Sequence, residues 1–424
     1  MAQLTDDCFA FSGPLLPVED LERIIRERVT PVAETETVSL SQARGRTLAC
    51  DISAGIDLPP FDNSAVDGYA VSHAGLDAQS ETRLPVADRV TAGRSAAQPL
   101  KSGTAIRIFT GAPMPDGADT VFMQEDCRVE GATVIVPAGL TRGANRRLAG
   151  EDVRAGSRVL PAGRILSVAD VALAAALGVT QVSVRRRIRV ALFSTGDELV
   201  EPGAPLPRAS LYDSNRRLLT GLIERLGAIT TDLGILRDDP QSLAPALKAA
   251  AADHDLVLTS GGVSTGEADH VRDAVESIGR LVFWRVAIKP GRPVAMGVIP
   301  GASAGRNAAF AGLPGNPVAA FVTFVRVVRP LIFTLSGAEI PPLIALPVRS
   351  AFGYRKKKDR REYVRVTLRR GSDGQVEAVK HAQDGAGVIT SLTQTDGLVE
   401  LPENITTVEP GSTVGFLPYA VLTG

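Results

Sequence analysis

The sequence predicts a multidomain α/β protein centred on a doubly wound parallel sheet, and three observations carry that prediction. Its 424 residues exceed what one hydrophobic core holds, because single cores stop growing near about 250 to 300 residues. From Ile188 onward, short apolar runs alternate with helical patterns, the arrangement that builds crossover units. On either side the apolar runs shorten and are broken by Gly, Pro and Asp, which marks smaller β-rich units. An apolar share of 44% with 22% charged residues permits folded cores throughout.

Taken in order, Pro17 to Val29 places Val18, Leu21, Ile24, Ile25 and Val29 on one helical face, with Glu19 and Asp20 in the first turn. It reads as a packing helix. Between Asp51 and Glu151, runs such as Ile106 to Phe109 and Val134 to Val136 predict a β-rich insert. Ser167 followed by Asp170 is an N-cap with an acid at N3, and it opens an Ala/Leu helix that stops at Gly178. The strand Ile188 to Phe193 begins the central unit. A helix from Asn215 to Leu226 is stopped by Gly227, and a strand then ends near Leu236. Asp239-Pro240 supplies a cap and a proline at the first position of a helix through Ala252, and Leu256 to Leu258 runs into the turn Ser260-Gly-Gly262. Ala345 to Val348, Tyr363 to Leu368 and Gly415 to Leu417 predict a closing β-barrel or sandwich.

Composition excludes several functions. A formal net charge of −1 gives the molecule no overall attraction to nucleic acid or an anionic membrane, so any bound anion needs a local cluster. Cys8, Cys50 and Cys127 are odd in number and unpaired in spacing, which predicts a reducing cytoplasm and no zinc site. His73, His254, His270 and His381 are scattered, so any metal is expected to bind oxygen. Asp6 and Asp7 stand where an export signal would be basic. Arg326, Arg329 and Pro330 interrupt the richest apolar stretch, Phe321 to Leu335, and no membrane span is predicted.

In an open α/β sheet the ligand sits beyond the strands' carboxyl ends, so the residues after each apolar run are the informative ones. Four loops qualify: Ser194-Thr-Gly-Asp-Glu198, Ser260-Gly-Gly-Val-Ser-Thr-Gly-Glu-Ala-Asp269, Lys289-Pro-Gly-Arg-Pro293 and Leu313-Pro-Gly-Asn-Pro317. Each combines glycines that let backbone N–H groups approach an anion with a hydroxyl, cation or carboxylate. One such loop is an ordinary tight turn; four at successive strand ends describe a phosphorylated ligand. Asp197 and Glu198 suit capping and metal or phosphate chemistry equally, Asp238 and Asp239 lean toward capping, and Asp269 opens a helix where a carboxylate is favoured anyway.

The segment Pro59 to Tyr69 is dense in turn formers yet carries Phe61, Val66 and Tyr69, so it reads as a loop ordered by packing. By composition, Asp62 and Asp67 fit an Asx-turn scaffold best, and Thr110-Gly-Ala-Pro113 is similarly ambiguous. The basic runs Arg355 to Arg361 and Arg185 to Arg187 have the form of solvated faces, and without interleaved aromatics they suit an oxyanion or a protein better than nucleic acid.

Pro60-Phe-Asp-Asn-Ser-Ala-Val-Asp-Gly-Tyr-Ala70 resembles the signature of the MoeA and gephyrin E-domain family. Ile108 to Pro113, Gly150-Glu-Asp152, Phe193 to Leu199, Ser260 to Asp269, Ile288 to Pro293 and Gly312 to Pro317 follow the family's order and spacing. The resemblance runs from about Pro17 to about Gly415. It implies an elongated linker domain (15–50 with 151–185), a β-rich insert (51–150), a MogA-like molybdopterin-binding α/β domain (186–335) and a C-terminal β-barrel (336–424). It further implies a homodimer whose cleft lies between the α/β domain of one subunit and the insert of the other. The implied reaction takes molybdopterin-AMP and molybdate with Mg²⁺ and releases molybdenum cofactor and AMP. Contact with the molybdopterin adenylyltransferase and with molybdoenzyme maturation proteins is implied as well.

Carried over by motif, the catalytic candidates are Asp67, Thr110, Glu198, Asp238, Asp269 and Lys289, with Glu198, Asp238 and Asp269 as metal ligands. The implied substrate contacts are Ser194, Thr195, Gly196, Asp197, Asp213, Ser260, Gly261, Gly262, Ser264, Gly266, Pro314, Gly315, Asn316, Arg285 and Arg292, with Arg360 and Ser391 from the last domain. Arg285 and Arg292 replace a frequent Lys, and Ala319 a frequent Ser, which changes donor geometry near the oxyanion. Two other functions occur among relatives, receptor clustering and molybdopterin adenylylation. The first goes with a further fused domain and long linker, and the second with a single domain like residues 186–335 alone.

Overall fold

The computed structural model describes residues 4–5, 8–9, 15–32, 34–237, 239–262, 270–303 and 305–423. The packing helix forms over Val18–Arg28, with Leu21 and Ile25 fully buried. The linker is defined by two stretches far apart in sequence: Thr35–Ser39 pairs antiparallel with Gln181–Arg185, closing a small core around Leu48, Leu166 and Val184. Beside it the helix Val168–Ala176 begins with a reciprocal capping box between Ser167 and Asp170, an arrangement worth about 1 kcal/mol. Between these stretches the chain builds a six-stranded insert with cores on both faces, one around Phe122 and Val134, the other around Ile106 and Val121.

The central sheet has six strands: β1 (Arg189–Thr195), β2 (Ile229–Leu236), β3 (Leu256–Ser260), β4 (Arg280–Arg285), β5 (Pro293–Pro300) and β6 (Asn307–Leu313), in the order β2-β1-β3-β6-β5-β4. β2, β1, β3 and β6 are parallel, and β5 is antiparallel to both β6 and β4. Five strands therefore point one way and only β5 runs back, a departure from the all-parallel expectation. The turn Lys289 to Pro293, which reverses the chain between β4 and β5, consequently sits on the same edge as the loops after β1, β3 and β6.

Helices cover both faces of the sheet. Leu243, Leu247, Val271 and Val275 pack on one face; Leu219, Ile223 and the helical run Pro317–Leu335 pack on the other. That run is long and apolar enough to cross a membrane, but it is wholly buried in the fold. Its two arginines are buried too: Arg326 pairs with Glu400 and lies over the Tyr363 ring.

The last region closes as a barrel. β7 (Leu346–Ser350), β8 (Arg361–Arg370), β9 (Val376–Lys380), β10 (Gly397–Leu401) and β11 (Thr413–Pro418) pair in the cycle β8-β9-β7-β11-β10-β8. Closure leaves no free edge. The barrel is stitched to the sheet, since Ile288-Lys289 pairs in parallel with Arg361-Glu362.

The two basic runs are not simply solvated faces. Arg186 ion-pairs with Glu34 and with Asp255, whose side chain is 2% exposed, tying linker to sheet. Arg361 joins the Val18 helix to the barrel through Glu19, Glu400 and Glu403. Both runs contain structural cross-links that local sequence does not reveal.

Candidate active site

Two glycines decide how closely the loops after β1 and β3 approach. Gly261 has φ +91°, and a Cβ there would lie 2.7 Å from the Thr195 carbonyl oxygen. At Gly262, with φ +64°, it would lie 2.5 Å from Thr195 Cγ2. Only a residue without a side chain accepts both the backbone conformation and the contact. The result is a cleft of about 400 Å³ at the loop edge of the sheet, lined by Ser194, Thr195 and Glu198 after β1 and by Asp213 and Asn215. Ser260 and Gly261 after β3, Gly315 and Asn316 after β6, and Gly387 from the barrel complete the wall.

Asn215 organises this cleft. Its Nδ2 donates to Ser260 Oγ (2.8 Å) and to the Gly315 carbonyl (2.6 Å), joining three loops. Among the described residues, its Oδ1, Ser194 Oγ, Thr195 Oγ1 and Asp213 Oδ2 are buried without a hydrogen-bond partner. Each unpaired buried polar atom costs about 1 to 3 kcal/mol, so four around one cleft mark a site that gains bonds when a polar ligand enters.

Asp213 is set by Arg216, which is 1% exposed. Its backbone N–H donates to Oδ1 (3.2 Å), and Nη1 stands 3.4 Å from Oδ2, in ion-pair range but misaligned for a hydrogen bond. The same guanidinium meets Asp232 at 2.9 Å and also Glu201. Burial lowers its pKa, but the three carboxylates raise it more.

On the barrel side Gly387 lines the cleft, while Lys289, Arg360, Arg365 and Ser391 lie outside its lining. Arg365 Nε donates to Ser391 Oγ (3.1 Å), and Nη2 to the carbonyls of Gln383 (2.9 Å) and Gly385 (3.2 Å). Ala386 O accepts from Val318 N (3.0 Å), pinning this loop at the start of the Pro317 helix. Ser391 is therefore met by Arg365. Arg360 turns instead to Glu362, to which its Nε donates at 2.6 Å. Lys289 Nζ lies 3.3 Å from the same carboxylate, which is 1% exposed and also accepts from the Tyr354 hydroxyl (2.8 Å).

Asp67 and Thr110 form a second locus in the insert. The Thr110 N–H (2.8 Å) and hydroxyl (2.7 Å) both donate to Asp67 Oδ1 across 43 residues. These bonds, with Arg107 nearby, hold the exposed Asp67 carboxyl below its ordinary pKa. Asp62 likewise reaches the Ala149 N–H (2.7 Å) and Arg146. The local Asx-turn reading is thus replaced by long-range cross-links. Among the described residues, the cleft's lining includes neither Asp67 nor Thr110.

The other candidates divide clearly. Gly196 adjoins Glu198, whose Oε2 a Cβ there would meet at 2.7 Å. Asp197, Arg285 and Arg292 are exposed and Pro314 is half-buried, all outside that lining. Asp238, Ser264, Gly266 and Asp269 lie outside the described residues, so the expected metal ligands are represented here by Glu198 alone. Among the described residues, no three His, Cys, Asp or Glu side chains group closely enough to hold a metal ion. The cleft's carboxylates and hydroxyls are hard oxygen donors nonetheless, the kind Mg²⁺ takes. Sequence reasoning missed Asn215 and Arg365. The alternation Arg361, Tyr363, Arg365 along one strand face was the available signal for Arg365.

Sheet edge, cleft and barrel together define an α/β protein with a polar cleft between its strand-end loops and a C-terminal β-domain. Its segments match three family models: MoeA N-terminal region (domain I and II) over 16–178, probable molybdopterin binding domain over 191–334, and MoeA C-terminal region (domain IV) over 347–419. It is 36% identical to the molybdopterin molybdenumtransferase of Haemophilus influenzae, covering 97% of this chain and 100% of that one. Against the molybdopterin molybdenumtransferase of a Nostoc species it is 37% identical, covering 95% and 93%. The crystal structure of the molybdopterin biosynthesis MoeA protein from Pyrococcus horikoshii superposes with a TM-score of 0.79 at 29% identity, over 96% of this chain and 100% of that one. The chain belongs to the MoeA family.

Proposed function

We propose that this protein is a molybdopterin molybdenumtransferase, which inserts molybdate into adenylated molybdopterin and releases AMP. The observation that carries this reading is the cleft's set of unpartnered buried polar atoms at the strand ends, on a chain 36% identical to a relative of that name. Adenylated pterin and molybdate are both anionic, so holding them together requires donors that offset their repulsion. Ser194, Thr195 and Ser260 hydroxyls and the backbone N–H groups around Gly261 and Gly315 supply donors toward the phosphate-bearing substrate. From the barrel side Arg365 suits the oxyanion, and Lys289, exposed beside Glu362, adds a second cation.

Glu198 and Asp213, with Asp238 and Asp269, are the carboxylates we assign to Mg²⁺, which when bound screens phosphate charge and polarises the bond that releases AMP. We further infer a homodimer in which Asp67 and Thr110 of a second copy complete the cleft. In support, the Asp67 loop exposes Phe61 (44%), and Leu148 nearby is 51% exposed. Free cysteines and the burial of the membrane-length helix support a cytosolic location.

The test is direct. Purified protein given molybdopterin-AMP, molybdate and Mg²⁺ is expected to release AMP only when molybdate is present, and chelation of Mg²⁺ is expected to stop it. Release that ignores molybdate, or none at all, rejects the assignment.

A further inference from the structure

Away from the cleft, the linker, the helix Asn215–Arg225 and the segment leading to the barrel border a second, open cavity of about 490 Å³. Among the described residues, four arginines line it, Arg44, Arg187, Arg225 and Arg329, against one carboxylate, Glu224. Leu226, Phe333 and Pro342 make much of the remaining wall apolar.

Arg329 is the informative member. It comes from the buried helical run and is 2% exposed. Among the described residues, its Nη2 donates to a neutral group, the Pro341 carbonyl at 3.0 Å, while Nε and Nη1 are buried without partners. The guanidinium stacks 4.9 Å from the Phe333 ring centroid. Burial drags its pKa down to about 10, with the charge of Glu22 opposing and Arg326 adding to the fall. Three residues earlier on the same run, Arg326 is equally enclosed but paired with Glu400. A buried cation with no ion pair among the described residues is costly, and here it borders a cavity lined by three more arginines.

We propose that this cavity binds a small organic phosphomonoester. Arg329, Arg44 and Arg187 hold its dianionic head, and its apolar body lies against Phe333 and Leu226. Guanidinium groups match phosphate oxygens in planar, paired hydrogen bonds, and the volume is that of an ordinary small-ligand pocket. None of these residues belongs to the cleft or to the Asp67 locus.

Calorimetric titration of the full-length protein with 1-naphthyl phosphate, inorganic phosphate and 1-naphthol tests this. The naphthyl ester is expected to saturate one such site per chain, with the other two probes binding about tenfold more weakly or worse. Arg44→Glu and Arg187→Glu, both at exposed positions, should each weaken the ester about tenfold, whereas Asn215→Leu in the cleft should leave that affinity unchanged. Arg329→Met should abolish binding while keeping or raising Tm, because it replaces an unpaired buried charge by an apolar chain of similar length. No saturable binding, or affinity indifferent to Arg44→Glu and Arg187→Glu, overturns the proposal. So does loss with Asn215→Leu instead, which would place the probe in the cleft. If Arg44→Glu changes only the sedimentation mass, the surface is a contact between copies and the proposal is again overturned.

Discussion

Among the described residues, the sheet-edge cleft keeps four buried polar atoms without partners, whereas the Asp67 corner of the insert gives its carboxylate two hydrogen bonds and leaves it open to solvent. The contrast separates two tasks. A cleft with unmet bonds is stabilised by the ligand that meets them, so its work is binding. A carboxylate fixed by an N–H and an O–H is held ionised and oriented, so its work is to present one charge at one place. On the proposed assignment each region holds part of what the reaction needs, and the proposed dimer joins them.

Substitutions can break the comparison at either end. Asp67→Asn keeps an oxygen for Thr110 but removes the charge, so kcat should fall by about 100-fold or more with melting temperature unchanged. Steady-state AMP release beside a thermal melt checks both halves. Asn215→Leu takes away the donors to Ser260 and the Gly315 carbonyl, so the cleft loses its organising contact. KM for molybdopterin-AMP should rise roughly tenfold while kcat changes little, the reverse of the Asp67 pattern.

The smallest effect concerns pH. Because the Thr110 bonds lower the Asp67 pKa in the folded protein, the stabilisation they provide is present above the ordinary carboxylate range and is lost as pH falls through the lowered value. Activity that needs ionised Asp67 should therefore persist below a pH of about 4. Thr110→Val removes the hydroxyl bond and keeps the N–H, so the acid limb of kcat should move upward, part of the way to that ordinary value. An unmoved limb would take Asp67 ionisation out of the rate.

How much of this was legible depended on the distance over which each feature is determined. The Ser167 capping box, the Gly178 stop and the Pro240 start are local, and the structure has them where the residues indicated. The reversal of β5 was not legible, because an apolar run buried in a sheet carries no mark of its direction. Two features of the candidate site failed for the same reason. Asp67 looked like a turn acid because its partner is 43 residues away, and Arg365 was passed over for Arg360 because the fold alone brings it to Ser391. Arg186 looked solvated until Asp255 came to meet it. Sequence located the loops well and the pairings between them poorly, since pairings belong to tertiary packing.

The central claim, that the cleft of one chain and the Asp67 corner of another are a single site, is most directly tested by mixing two inactive variants. Asp67→Asn and Glu198→Gln subunits, unfolded together and refolded, should recover about a quarter of wild-type AMP release, since half of randomly paired dimers then hold one intact site. If mixed dimers form, as shown by differently tagged subunits, and activity stays at the level of either variant alone, the two regions do not share a site.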